Sequence, residues 1–433
     1  MSAYRVAVAA AGRIKPSPAE LGALWESLGR VAVATGRTAE GLDAYANARK
    51  LAKDAPARAR LDVASAFALN VLGRSDEAAR YLRTARRGAV DAGDAGRGIL
   101  ASIAVTESGL RLRQAEWAEA RRLAAEAITL LDGHLADEES KRRLADAYRY
   151  QDIAAGELEG DATMVNLERA LELYDEVGDE LSRSKVLNVL GARAYYRGDW
   201  ATAVDLYGQA VEASERAGDV VGVAVDSGNV AEILIDQGRL DEARPMVKRS
   251  LRVFTASGNH YFGAYVTGFL GRIAVRAGSP DEAKAAFSEA AARFESMGEV
   301  DEVLDVSIRG LEADLDLGDV DDARAAIARL ETTTVRGPAR SRLLRHTSRL
   351  AAIDGDDARA AQDAAAAVEA AGDSPFDRAL ALALLAASTG DEVPRTAARS
   401  LLGDLGVVDI PALLAVDQGT HLATPLDAET TRS

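Results

Sequence analysis

Three pairs of charged residues recur at forty-residue intervals: Glu232 with Asp236, Arg272 with Arg276, and Glu312 with Asp316. One interval earlier the same positions hold Ala192 and Tyr196. Each pair is spaced i, i+4, so on a helix both members share a face. Neighbouring helices pack about 8–10 Å apart, which lets a guanidinium reach a carboxylate on the next one. The chemistry open to this set is ion pairing, an acid–base–acid ladder across three repeats. Such a ladder either fixes the geometry of an array, at about 0–1 kcal/mol per exposed pair, or offers a charged surface to a ligand. The residues alone leave both readings open.

Other candidates read as ordinary structure. Arg342, Arg345 and Arg349 share a helix face in "RGPARSRLLRHTSRL". They form either a docking surface for an acidic domain or a solvated face. Ser182-Arg183-Ser184-Lys185 has the S-x-x-K spacing but sits where a helix should begin, which predicts a capping role. Asp354–Asp357 resembles half a calcium loop without the later Gly and Glu, and reads as a turn. Arg197-Gly198-Asp199 has counterparts at Gln237-Gly238-Arg239 and Ala277-Gly278-Ser279, so it too reads as a turn rather than an adhesion motif. No phosphate-binding G-x-x-x-x-G-K-[ST], H-E-x-x-H or G-x-S-x-G is present. There is no Cys, and the four His (His134, His260, His346, His421) lie far apart. No catalysis, metal or cofactor is expected. A net charge of −16 opposes nucleic-acid binding as a main role. No apolar run reaches the roughly 18 residues of a membrane helix, so a soluble, cytoplasmic chain is expected, with no membrane partner.

The elements that must position these residues follow a strict repeat. Gly198, Gly238, Gly278 and Gly318 are spaced by forty, and so are Gly178, Gly218, Gly258 and Gly298. Each glycine ends a helical pattern, where a left-handed cap is wanted. Small and large residues keep the same register: Ala203, Ala243, Ala283 and Ala323, then Tyr207, Val247, Phe287 and Ile327, then Ala210, Ser250, Ala290 and Leu330. Before the turn stand Gly191, Ala231 and Gly271. The prediction is one helical hairpin per forty residues. Shorter copies of the signature run from Trp25 to Ala48, from Gly73 to Ala85, from Ala115 to Ala127 and from Gly355 to Ala367.

This pattern resembles the tetratricopeptide repeat. Trp25-Glu26-Ser27-Leu28-Gly29 carries the first half of its signature, and Leu190-Gly191, Gly198, Ala203, Tyr207 and Ala210 carry most of the rest. Forty residues exceeds the usual thirty-four, and the inter-repeat Pro is mostly replaced by Gly-Asp or Gly-Asn. The resemblance implies an all-α, right-handed superhelical solenoid of about ten antiparallel hairpins. It also implies that the first helix of each hairpin lines a concave groove. Carried over by register, the groove residues are Lys185, Asn188, Tyr195, Tyr196, Glu232, Asp236, Arg272, Arg276, Glu312 and Asp316.

A closer resemblance is to the C-terminal repeat region of multidomain actinobacterial proteins, in which an adenylate/guanylate cyclase domain and a signal-transduction ATPase module precede a long array. The forty-residue pitch, "ILIDQGRLDEA" and "LLGDLGVV" carry it. It implies a non-catalytic sensor that binds a protein, peptide or small effector and regulates a linked ATPase or cyclase module. A free-standing scaffold is the alternative. The expected organisation is an N-terminal helical segment at 1–17, the array at 18–416 and a disordered tail at 417–433.

Overall fold

The computed structural model describes residues 16–34, 36–135, 137–159 and 165–408. The body of the expected N-terminal segment, the end of the array and the tail at 417–433 lie outside the described residues. Among those described, twenty α-helices and one short 3₁₀ turn are present, with no strand. They are α1 (Pro18–Ala34), α2 (Thr38–Leu51), α3 (Ala55–Val71), α4 (Ser75–Val90), α5 (Arg97–Arg113), α6 (Trp117–Leu131), α7 (Glu138–Glu159), α8 (Leu167–Glu176), α9 (Glu180–Tyr196) and α10 (Trp200–Ala217). They continue as α11 (Val220–Gln237), α12 (Leu240–Ser257), α13 (His260–Arg276), α14 (Pro280–Met297), α15 (Val300–Leu317), α16 (Val320–Glu331), α17 (Gly337–Ile353), α18 (Asp357–Ala370), α19 (Pro375–Thr389) and α20 (Glu392–Asp404). Taken in pairs these are the ten expected hairpins. No described helix is long and apolar enough to cross a membrane.

The Gly-Asp and Gly-Asn dipeptides explain how a hairpin turns without Pro. Gly218 closes α10 at φ 72°, in the left-handed region that a side chain resists. The next residue, Asp219, caps α11 by accepting from the Gly222 amide at 3.0 Å. Asp199 does the same for α10, and Asn259 for α13. One dipeptide thus terminates one helix and starts the next. The Arg197-Gly198-Asp199 turn is such a joint. So is Asp354–Asp357, where Asp356 caps α18. At the start of α9 the cap is Asp179, whose carboxylate accepts from the Ser182 amide at 3.1 Å. The expected capping role of Ser182 therefore passes to Asp179, and Ser184 instead bonds the Leu181 carbonyl.

The chain divides into two compact units between Val186 and Leu187, inside α9. In the first, a core of Ala59, Val63, Leu69, Leu82, Ile99 and Ile103 joins α3, α4 and α5. Its least regular hairpin, α7–α8, is tied by Asp152. That carboxylate, 1% exposed, accepts from the backbone amides of Asn166 and Leu167 at the head of α8.

In the second unit, helices pack on their chain neighbours, and the first helices of successive hairpins (α11, α13, α15, α17 and α19) also touch one another. Side-chain size is matched across each hairpin. Gly191 lies under the Tyr207 ring and Gly271 under Phe287, so closely that an added Cβ would come within 2.9 and 2.7 Å of the rings. The unit also meets itself. Leu405, after α20, shares a core with Trp200, Ala203, Tyr207 and Ile233. Gln237 Nε2 donates to the Leu405 carbonyl, and the Val408 amide donates to the Gln237 carbonyl. The last hairpin is thereby fastened to the first helices of the unit.

Candidate functional site

The first helices of the second unit line a partly open cavity of about 370 Å³. Its wall draws on α9, α11, α13, α15, α17 and α19, with Trp200 and Phe287 from second helices. Of the residues singled out from the sequence, Tyr195, Tyr196, Asp236, Arg272, Arg276 and Glu312 stand in this wall. Glu232 and Asp316 hold wall arginines from behind. Asn188 is committed elsewhere, donating to Asp226 Oδ1 at 2.6 Å. Lys185 is exposed on α9, before the division between the units.

The ladder forms in its first half. Arg272 Nη1 meets Glu232 at 2.8 Å and Arg272 Nη2 meets Asp236 at 2.5 Å. The Arg272 side chain is 10% exposed, and its guanidinium also lies over the Phe269 ring. Burial opposes the charge of Arg272, but Asp236 and Glu232 outweigh it and hold the guanidinium well above its ordinary pKa. Arg276 Nη1 reaches the Asp236 carbonyl at 3.5 Å. The second half differs from the expectation. Asp316 pairs with Arg349 of the following hairpin, at 2.7 Å.

A second acid–base–acid ladder runs where the sequence reading had none. Arg342 bridges Asp305 on α15 and Asp377 on α19. Arg309 joins Asp305 at 2.7 Å, and Arg345 joins Asp377 at 3.1 Å. Burial raises Asp305, but Arg309 and Arg342 push it down to about 2. Arg342, Arg345 and Arg349 are therefore neither a solvated face nor an outer docking surface. Their side chains are 17%, 14% and 20% exposed and face the cavity. Beside them, buried His346 is held well below its ordinary pKa by desolvation and by the surrounding arginines, so it is neutral at physiological pH.

The opposite character comes from an aromatic cluster in which the expected groove residue Tyr195 is joined by Trp200 and Phe376, which the sequence did not single out. Tyr195 stacks on Trp200 with centroids 5.9 Å apart, and Trp200 meets Phe376 of α19 at 5.4 Å. Burial and then Glu232 and Asp236 raise the Tyr195 phenol well above its ordinary pKa, which keeps it a neutral donor. Tyr196 is 70% exposed. Trp200 opens α10. Its partner Phe376 lies in another hairpin, and nothing local links the two.

A tetratricopeptide-repeat family model matches residues 224–296. No curated protein matches the chain. A Rap protein complexed with Competence and Sporulation Factor is similar over 80% of this chain and 98% of its own, at 13% identity and a TM-score of 0.52. The apo form of RapI is similar over 80% and 97%, at 11% identity and a TM-score of 0.54. A signal-transduction ATPase with a tetratricopeptide-repeat sensor, from Pyrococcus horikoshii, is similar over 78% of this chain and 54% of its own, at 14% identity and a TM-score of 0.48. The likeness to the two Rap structures shows the fold: the chain is a tetratricopeptide-like helical-repeat protein.

Proposed function

We propose that the chain is a non-catalytic sensor, whose second unit binds an effector on its inner face and biases a linked ATPase or cyclase-type signalling module. The observation that carries this reading is the partly open cavity, lined both by arginines and by aromatic rings. Its volume falls in the range of small-ligand sites, about 300–1,000 Å³. That size favours a small effector or a few residues of a peptide over a folded protein. The Rap protein complexed with Competence and Sporulation Factor supports the fold's use as a binding arm. Regulation would follow from differential binding: an effector that prefers the closed second unit shifts the equilibrium of whatever module is coupled to it.

The test is a thermal-shift screen of the intact chain against metabolites and short peptides. Hits should be lost in Tyr195→Ala and Trp200→Ala variants that still fold. A screen whose hits all survive both substitutions would remove the inner face from the proposal. The regulatory half is tested by the coding sequence 5′ to the Met1 codon, where an in-frame ATPase module is expected.

A further inference from the structure

One wall of the cavity carries hydrogen-bonding capacity that its own residues do not fill. Three guanidiniums, of Arg309, Arg342 and Arg345, bond only two carboxylates, those of Asp305 and Asp377. Both carboxylates are ionised, since the arginines hold each below its ordinary pKa against burial. Arg345 has the smallest share. Its one bond, 3.1 Å, goes to Asp377 Oδ1, which also accepts from Arg342 at 3.2 Å. The other Asp377 oxygen is taken by Ser374 at 2.9 Å and by Arg342.

The unmet capacity is visible at two atoms. Arg345 Nε and His346 Nδ1 are both buried with no hydrogen-bond partner. His346 is 7% exposed and lines the cavity. A buried donor or acceptor left unsatisfied bears its desolvation penalty uncompensated. The remaining charges on this side are Arg349, bonded to Asp316, and Glu312, which acts on Arg345 through space. Formal charge is thereby matched, four arginines against four carboxylates, yet the two atoms stay without a hydrogen bond. Burial, Arg342 and Arg309 still outweigh Asp377 and Glu312, and Arg345 is the guanidinium held below its ordinary value.

We infer that this wall is an anion subsite, and that the cavity takes a small ligand joining a flat apolar group to a carboxylate or phosphate. The anion is received by Arg345, His346 and Arg349. Guanidinium suits either anion, because its fork matches two oxygens at once. The flat group lies against Trp200, Tyr195 and Phe376. The inference rests on the reading that the inner face binds an effector, and it narrows the effector's chemistry.

The experiment uses the full chain with Trp25 and Trp117 replaced by Phe, which leaves Trp200 as the sole indole. Its fluorescence is followed on titration with phenyl phosphate, phenylacetate and neutral phenylacetamide. At least one anion should bind roughly tenfold or more tightly than the amide, about 1.4 kcal/mol, and high salt should shrink that advantage. Phosphate ahead of carboxylate points to a phosphorylated metabolite, and the reverse order to a carboxylate such as a peptide C-terminus. Arg345→Gln should abolish the anion's advantage and leave amide binding unchanged. Where Arg345→Gln does not fold, Arg349→Gln supplies the same comparison. Equal binding of amide and anions overturns the anion subsite and leaves the effector reading intact. Quenching by none of the probes also overturns it, and the effector reading then stands or falls on the wider screen.

Discussion

Gln237 Nε2 donates to the carbonyl of Leu405 at 3.0 Å, across 168 residues of sequence. The Val408 amide answers by donating to the Gln237 carbonyl at 2.9 Å. Gln237→Ala leaves the Leu405 carbonyl without its donor, a loss of about 1–3 kcal/mol. The expected signature is faster amide exchange across Glu392–Asp404, with exchange in Val300–Leu317 unchanged. Hydrogen exchange read by mass spectrometry covers both segments. Unaltered exchange in the last helix would show that this contact does not hold it.

Arg272 neutralises two carboxylates while nearly excluded from water. Removing one member of a buried ionic cluster strands the rest, at a cost of about 3–5 kcal/mol. Arg272→Ala should be that severe in urea denaturation. Replacing the cluster as a whole, Arg272→Met with Glu232→Gln and Asp236→Leu, should recover most of the loss. A triple variant no more stable than Arg272→Ala would mean that the ion pairs themselves supply the stability.

Gly271 tolerates no side chain, because a Cβ there would stand 2.7 Å from the Phe287 ring. Gly271→Ala should cost about 1–3 kcal/mol through overpacking. Phe287→Val on that background should recover part of it, since the neighbouring repeat pairs Ala231 with Val247. A double-mutant cycle on thermal melting reads the coupling, and strict additivity would contradict the contact.

Asp226 is 4% exposed, and burial raises its pKa to about 6, against the opposing bonds from Asn188 and Ser214. A carboxyl whose folded pKa is raised favours folding most below its unfolded value, near 3.9. That contribution is lost as pH rises through about 6. Asp226→Asn should therefore stabilise the protein above pH 7, by about 1–2 kcal/mol, with the gain vanishing towards pH 4. Melting curves at pH 4, 6 and 8 check the sign. A gain confined to acid would reverse it.

The fold was legible because its determinants are local. A left-handed glycine follows every helix from α9 to α15, Asp199, Asp219 and Asn259 cap three of the helices that come next, and Gly191 opposite Tyr207 or Ala231 opposite Val247 reports how closely two helices approach. The Arg272 ladder was legible for the same reason, since its three helices keep a forty-residue register. The wall at Arg342, Arg345 and Arg349 was not, because Gly355 follows Gly318 by thirty-seven residues instead of forty. Three residues are nearly a full turn. Counting by forty from Glu312 lands beyond Arg349, the residue that meets Asp316. The meeting of Trp200 with Phe376 was hidden for a different reason. It arises because the last described hairpin returns to the start of the second unit, and no local pattern encodes that return.

A linear stack of hairpins keeps its stability in nearest-neighbour interfaces, so it can fray from its ends and melt piecemeal. The contact of Gln237 with Leu405 and Val408 turns the second unit into a closed circuit. Any single interface that opens must then strain the others or break the fastening. The unit should melt as one cooperative block.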